Sequence, residues 1–335
     1  MSESFAEALD KVREHRGEWA SEANICQLTH PSPEDIEAFR ETWFDLDDNT
    51  RYQVAARLAD LAEQDSVLAF EELFQVLLDD DLAAVRTLAI ARLSDIMDMS
   101  LARRMLWLVQ NDADAGVRAE AATALGAYLF ASDSGGEREQ FLRREIEDAL
   151  LEIVNTDAED MEVRQRALES YGYASDPFAD AVLREAYEGD EDELRASAVF
   201  AMGRRADEAW LPIVHRELRN ESEAMRLAAI YAAGVIGSGG SIPHLLRVIG
   251  EDANDDVRAA AVYALADIES PEAVRILEDL LESDDITIVN AADDALDMRL
   301  AAEDEDLLML DYGLLGEPGL GDDGSAGNNG DQDNQ

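Results

Sequence analysis

Few residues of this 335-residue chain are of types that carry chemistry on their own. The histidines are His15, His30, His215 and His244, and the single cysteine is Cys26. Cys26 and His30 form a C-x3-H pair. A closed tetrahedral metal site needs four ligands, and no second pair accompanies this one, so no metal is expected. Residues 111–116 read NDADAG and superficially resemble the start of a calcium loop. The bidentate glutamate such a loop needs at its twelfth position is missing, so solvated turn acids are expected there. The chain has no Gly-rich phosphate loop and no serine elbow. Acids are so numerous that no pair of carboxylates points to acid–base work. These residues predict neither an enzyme nor a cofactor.

Arginine is the residue type that recurs at fixed spacing. An apolar-then-Arg step returns as Val85-Arg86, Val117-Arg118, Val163-Arg164, Leu194-Arg195, Met225-Arg226 and Val257-Arg258. Acids precede it, as Asp255-Asp256 before Arg258 and Glu191-Asp192-Glu193 before Arg195. A guanidinium so placed can bond turn carboxylates and neighbouring carbonyls in charge-assisted geometry. Arg86, Arg118, Arg164, Arg195, Arg226 and Arg258 are therefore expected to form a structural ladder rather than an anion site.

A second stripe concerns binding. Five residues after the arginines stand Ala91, Thr123, Glu169, Phe200, Tyr231 and Tyr263, with Ala56 in a looser copy that starts at Thr50-Arg51. That position lies about 160° around a helix from the alanine three after the arginine. If the alanine faces the core, Phe200, Tyr231 and Tyr263 face an inner, concave surface. They would stand in register on helices about 8–10 Å apart, with Leu227 beside them. Exposed aromatics in a row make a protein-binding groove. The bland alternative is that the rings lean into gaps between neighbouring alanine-rich helices.

The elements that position these stripes are repeats. Successive arginines from Arg51 to Arg258 are 35, 32, 46, 31, 31 and 32 residues apart, and Ile288-Val289 continues the frame without its arginine. A small-then-Gly ending also returns, as Leu125-Gly126, Tyr171-Gly172, Met202-Gly203 and Ala233-Gly234. The spacing predicts first helices near 33–46, 66–79, 99–111, 137–154, 177–188, 207–219, 241–250 and 271–283. Second helices follow near 50–64, 82–96, 114–130, 160–173, 191–205, 221–236, 254–268 and 285–300. The 46-residue gap holds an insertion of about 14 residues around the turn-forming loop 131–137. Two helices per unit at a period near 31 predict an all-α solenoid of about eight pairs.

This pattern resembles the HEAT-like repeats of the bilin-lyase type. The chain is similar to HEAT-repeat proteins of halophilic archaea and some bacteria over roughly residues 33–300. The resemblance implies an armadillo-like superhelix and a protein-binding scaffold. It also admits a taxis or motility adaptor, or a bilin-lyase-like enzyme or chromophore carrier.

Composition narrows the class. Asp plus Glu total 76 against 27 Lys plus Arg, for a net charge of -49, and Lys11 is the only lysine. Such an acidic surface suits high salt, where the Debye length falls to about 3 Å at 1 M and self-repulsion is screened. It disfavours phosphate backbones, so nucleic acid is not an expected partner. No apolar run reaches membrane-spanning length and no leader pattern opens the chain, so a soluble cytoplasmic protein is expected, without membrane insertion. Residues 1–31 read as a helical extension, with Phe5, Ala8, Leu9 and Val12 on one face. Residues 32–302 read as the solenoid, and 303–335 as an acidic, partly disordered tail carrying an apolar segment at 307–315. That segment either caps the last repeat or docks on a partner. The expected partner is a protein or peptide held on the concave face.

Overall fold

The computed structural model describes residues 3–15, 19–132 and 136–315, with 302–315 described by backbone alone. Two short helices, α1 (Glu3–Glu14) and α2 (Glu22–Ile25), precede eight helix pairs. The pairs are α3 (Pro33–Trp43) with α4 (Asp48–Gln64), then α5 (Glu71–Leu77) with α6 (Ala83–Leu93). Next come α7 (Met99–Asn111) with α8 (Ala115–Ala131), and α9 (Glu137–Val154) with α10 (Met161–Tyr171). α11 (Ala179–Glu188) with α12 (Asp192–Arg204) and α13 (Leu211–Glu217) with α14 (Glu223–Ile236) follow. The stack ends with α15 (Ile242–Glu251), α16 (Asp255–Ala266), α17 (Pro271–Leu280) and α18 (Ile286–Leu315). Among the described residues there is no strand. The fold is an α-solenoid.

The helices begin where side chains satisfy their free N–H groups. Ser32 and Asp35 form a reciprocal capping box ahead of α3, with Pro33 at its first position. Most second helices carry an Asp, Ser or Asn cap. Asp47, Asp114 and Ser222 accept the N–H groups of Thr50, Val117 and Met225. α6 and α12 start without a side-chain cap. The expected first helix at 66–79 shortens to α5, because residues 66–70 run as a loop in which the Ala69 carbonyl accepts the His30 N–H. The expected helix at 207–219 becomes a 3-10 turn, Glu208–Trp210, followed by α13, with Pro212 in its first turn.

One core runs through all eight pairs. The alanine three residues after each arginine is fully buried at Ala89, Ala121, Ala167, Ala198, Ala229 and Ala261. The residue before the arginine is buried too, from Val85 to Val257. Phe5, Ala8, Leu9 and Val12 of α1 join this core and close its first end. At the other end no break occurs near Glu303. α18 continues as one helix to Leu315, through the acidic run and the 307–315 segment. Residues 299–312 contain neither Gly nor Pro, so nothing in their backbone interrupts the ladder of hydrogen bonds. The side chains of that segment, and residues 316–335, lie outside the described residues.

Curvature follows from packing. Successive second helices lie against one another from α4 to α18, whereas successive first helices touch sparsely. Small residues allow the close approach. A Cβ on Gly203 would stand 2.6 Å from the Ala232 Cα, and one on Gly126 would meet the Ser170 hydroxyl at 2.4 Å. The layer that packs more closely takes the shorter arc, so the second helices form the inner, concave surface.

Candidate functional site

The inner surface carries a ring ladder at its centre. Phe200 on α12 and Tyr231 on α14 stack face to face, centroids 3.8 Å apart and planes at 6°. The Arg204 guanidinium carbon lies 4.8 Å from the Phe200 centroid and 4.8 Å from that of Tyr173. Tyr173 in turn meets Phe130 at 5.1 Å. Phe130 on α8, Tyr173 in the turn after α10, Arg204 and Phe200 on α12 and Tyr231 on α14 thus connect four successive repeats. Burial pushes the Tyr173 phenol up, opposed by the Arg204 cation and reinforced by the Tyr231 hydroxyl within hydrogen-bonding reach.

Of the residues expected on this stripe, Phe200, Tyr231 and Leu227 are half-buried and Tyr263 is 37% exposed. The rings are not three separate plates. Phe200 and Tyr231 close on each other because Gly203 and Ala232 let α12 and α14 approach. Tyr263 turns away and donates to Asp294 on α18 at 3.2 Å. Burial, then the Asp294 carboxylate, raises its phenol. Tyr173 and Arg204 were missed by the five-residue rule. They stand nine residues after Arg164 and Arg195, one helical turn beyond Glu169 and Phe200, so the period contained their signal.

The arginines link consecutive pairs. Arg86 bonds Asp112 through Nε and Nη2 at 2.8 and 2.7 Å, and donates to the Asp80 and Asp81 carbonyls. Arg118 reaches Glu159 at 2.6 Å, and Arg164 holds Glu191 with two bonds at 2.8 and 3.0 Å. Arg226 pairs with Asp252 at 2.7 Å and Arg258 with Asp285 at 2.9 Å. Each of these carboxylates belongs to the turn of the next repeat. Burial raises the Glu159 carboxyl, but the Arg118 bond and the Asp160 N–H outweigh it and hold it low.

Arg195 departs from this scheme. The turn it would reach offers Asn220 where the other turns offer acids, and Arg195 pairs within its own helix to Asp192 at 3.1 Å. The same junction is held instead by Glu217, which accepts from the Tyr187 hydroxyl, from Arg216 at 2.9 Å and from Asn220 at 2.6 Å. The looser copy, by contrast, is the most deeply set. Arg51 pairs at 3.0 Å with Asp80, whose side chain is fully buried, and the Trp43 indole N–H donates to the same Oδ2 at 2.6 Å. In the sequence Arg51 keeps the repeat spacing and lacks only the apolar residue before it.

Asp112 and Asp114 have structural partners: Asp112 takes Arg86 and Asp114 caps α8, so residues 112–114 form the repeat turn between α7 and α8. Among the described residues no group of three or more His, Cys, Asp or Glu side chains could hold a metal ion. Among them, too, no helix is long and apolar enough to cross a membrane.

A family model described as HEAT repeats matches residues 103–203, 181–266 and 217–297, which together span more than half of the chain. The chain belongs to the HEAT-repeat family. Several solved structures are similar to it at low identity. Kap95p, solved with RanGDP, is 14% identical with a TM-score of 0.47, over 88% of this chain and 45% of that one. YibA of Escherichia coli is 14% identical with a TM-score of 0.40, over 89% and 97% of the two chains. Human deoxyhypusine hydroxylase is 18% identical with a TM-score of 0.35, over 80% and 96%. These likenesses are of fold alone. No curated protein matches the sequence.

Proposed function

We propose that this HEAT-repeat solenoid is a non-enzymatic scaffold that holds a protein or peptide segment along its inner surface. The observation that supports it is the half-exposed stack of Phe200 on Tyr231, extended by Tyr173, Arg204 and Phe130. Rigid aromatic area in the middle of a concave surface is the composition of an interface centre. Leu227 and Tyr263 flank it. The acidic exterior, with one lysine among 27 basic residues, suits a cytoplasm of high ionic strength, where screening limits self-repulsion.

The test is co-purification of the partner in molar KCl, followed by affinity measurement with ring variants. Tyr231→Ala is expected to weaken the partner by about 2 kcal/mol or more. Its cost to stability should be smaller, about 1 kcal/mol, because the ring is half-buried and loses one stacking contact. If Tyr231→Ala melts the stack while partner affinity is retained, the rings are packing and the inner surface is not the interface.

A further inference from the structure

Arg204 differs from the other arginines of the central inner surface. Its guanidinium lies between the Tyr173 and Phe200 rings. Its Nε is buried without a hydrogen-bond partner, as are those of Arg118 and Arg258, but those two guanidinium groups pair with Glu159 and Asp285. Among the described residues it forms no ion pair, although its neighbours do. Arg166 bonds Glu169 at 2.7 Å, and Arg205 meets Asp180 at 3.1 Å. The carboxylate on the adjacent helix is also occupied, because Glu169 takes Ser197 as well as Arg166. In a chain with 76 acids, this cation has no acid partner among the described residues.

With Nε buried and a ring 4.8 Å from the guanidinium carbon in each of two neighbouring repeats, the Nη1–Nη2 edge is the one a ligand can reach. That edge is a fork matched to a carboxylate, and clamping the plane removes rotamer freedom before any ligand arrives. Partial desolvation by the rings strengthens a charge-assisted bond made there. The surface on either side is aromatic, with Phe130 and Tyr173 toward one end and Phe200 and Tyr231 toward the other. A ligand carboxylate at Arg204 is therefore internal to a segment that continues across apolar surface in both directions. Farther out the surface turns acidic, with exposed Asp60 and Asp95 on one side and Asp267 and Asp294 on the other. These acids repel a polyanion and favour neutral or basic residues outside the centre.

We propose that Arg204 anchors an Asp or Glu side chain of an extended protein segment, with apolar residues flanking that carboxylate. This rests on the inner surface being the partner-binding one, and the test separates the two readings. The probe is a displayed random peptide library, anchored so that no free carboxy terminus is offered, selected on the full chain in molar KCl. Selected peptides should carry one Asp or Glu between apolar residues. Replacing that acid by its amide should weaken a synthetic copy at least tenfold. Arg204→Gln should cost the same factor and make the protein indifferent to the acid-to-amide change, as a double-mutant cycle requires. Arg204→Lys keeps the charge without the fork and should recover only part of the loss. Helical circular dichroism and melting of both variants establish that they fold. If peptides bind, lose affinity in Phe200→Ala, yet ignore both the acid and Arg204, the carboxylate anchor is overturned and the groove stands. If no selected peptide depends on Phe200, both readings fall.

Discussion

Arg51→Ala is expected to lower the unfolding free energy by about 3–5 kcal/mol, the cost of leaving a buried charge without its partner. The Asp80 side chain has no solvent exposure, and that of Arg51 is 7% exposed. Asp80 Oδ2 accepts from Arg51 at 3.0 Å and from the Trp43 indole at 2.6 Å, while Oδ1 accepts the Leu82 N–H at 2.7 Å. Removing the guanidinium leaves a carboxylate with two neutral donors and no countercharge. Because a solenoid is held by nearest-neighbour interfaces, the loss should concentrate in the first two pairs. Hydrogen exchange should show α3 to α6 opening well before α12 to α16. The double variant Arg51→Met with Asp80→Leu should be far less damaging than either single change, since it removes the charge together with its partner. A loss below about 1 kcal/mol for Arg51→Ala in denaturant titration would contradict the assignment.

Gly203→Ala should destabilise, against the usual trend. Gly to Ala in a helix interior normally gains about 0.5–1 kcal/mol. Here the added Cβ would stand 2.6 Å from the Ala232 Cα and 3.0 Å from its Cβ. The obstacle includes backbone, which no rotamer change can move. Forcing α12 off α14 should cost about 1–3 kcal/mol, more than the propensity gain returns. Gly250 in α15 is the control. A Cβ there meets nothing within 4 Å, so Gly250→Ala should be neutral or stabilising. Gly203 neighbours Arg204 and lies one turn from Phe200. Separating the helices should also open the Phe200–Tyr231 stack, lowering partner affinity along with stability. Equal signs for the two glycine substitutions in thermal melts would show that the α12–α14 approach is looser than described.

The two expected effects come from contacts of different legibility. The Arg51 pair was half-visible, because Thr50-Arg51 sat in the repeat frame but lacked the apolar residue that marks the other steps. Its depth was invisible, since burial depends on Trp43 and Asp80 arriving from other elements. The small-then-Gly ending was visible as a pattern. Its reason, contact between neighbouring second helices, needed the packed stack. Arg195 looked identical to its neighbours in sequence. It differs because Asn220, 25 residues onward in sequence, replaces the acid that a ladder bond would need.

By itself the sequence determined that this is an all-α repeat protein, and where most helices start and which alanines face inward. Those features follow from local caps and from periods of 3.6 and about 31 residues, which are properties of the chain read in order. Tertiary structure decided which rings meet and which cations remain unpaired. Phe200 could have stood free, as its spacing allowed, but α12 and α14 approach closely enough to stack it on Tyr231. Arg204 could have found an acid in so acidic a chain, but Glu169 is taken by Arg166 and Ser197, so its partners are the Tyr173 and Phe200 rings. Such outcomes depend on distances between residues about 30 positions apart, set by helix packing, to which a spacing rule has no access.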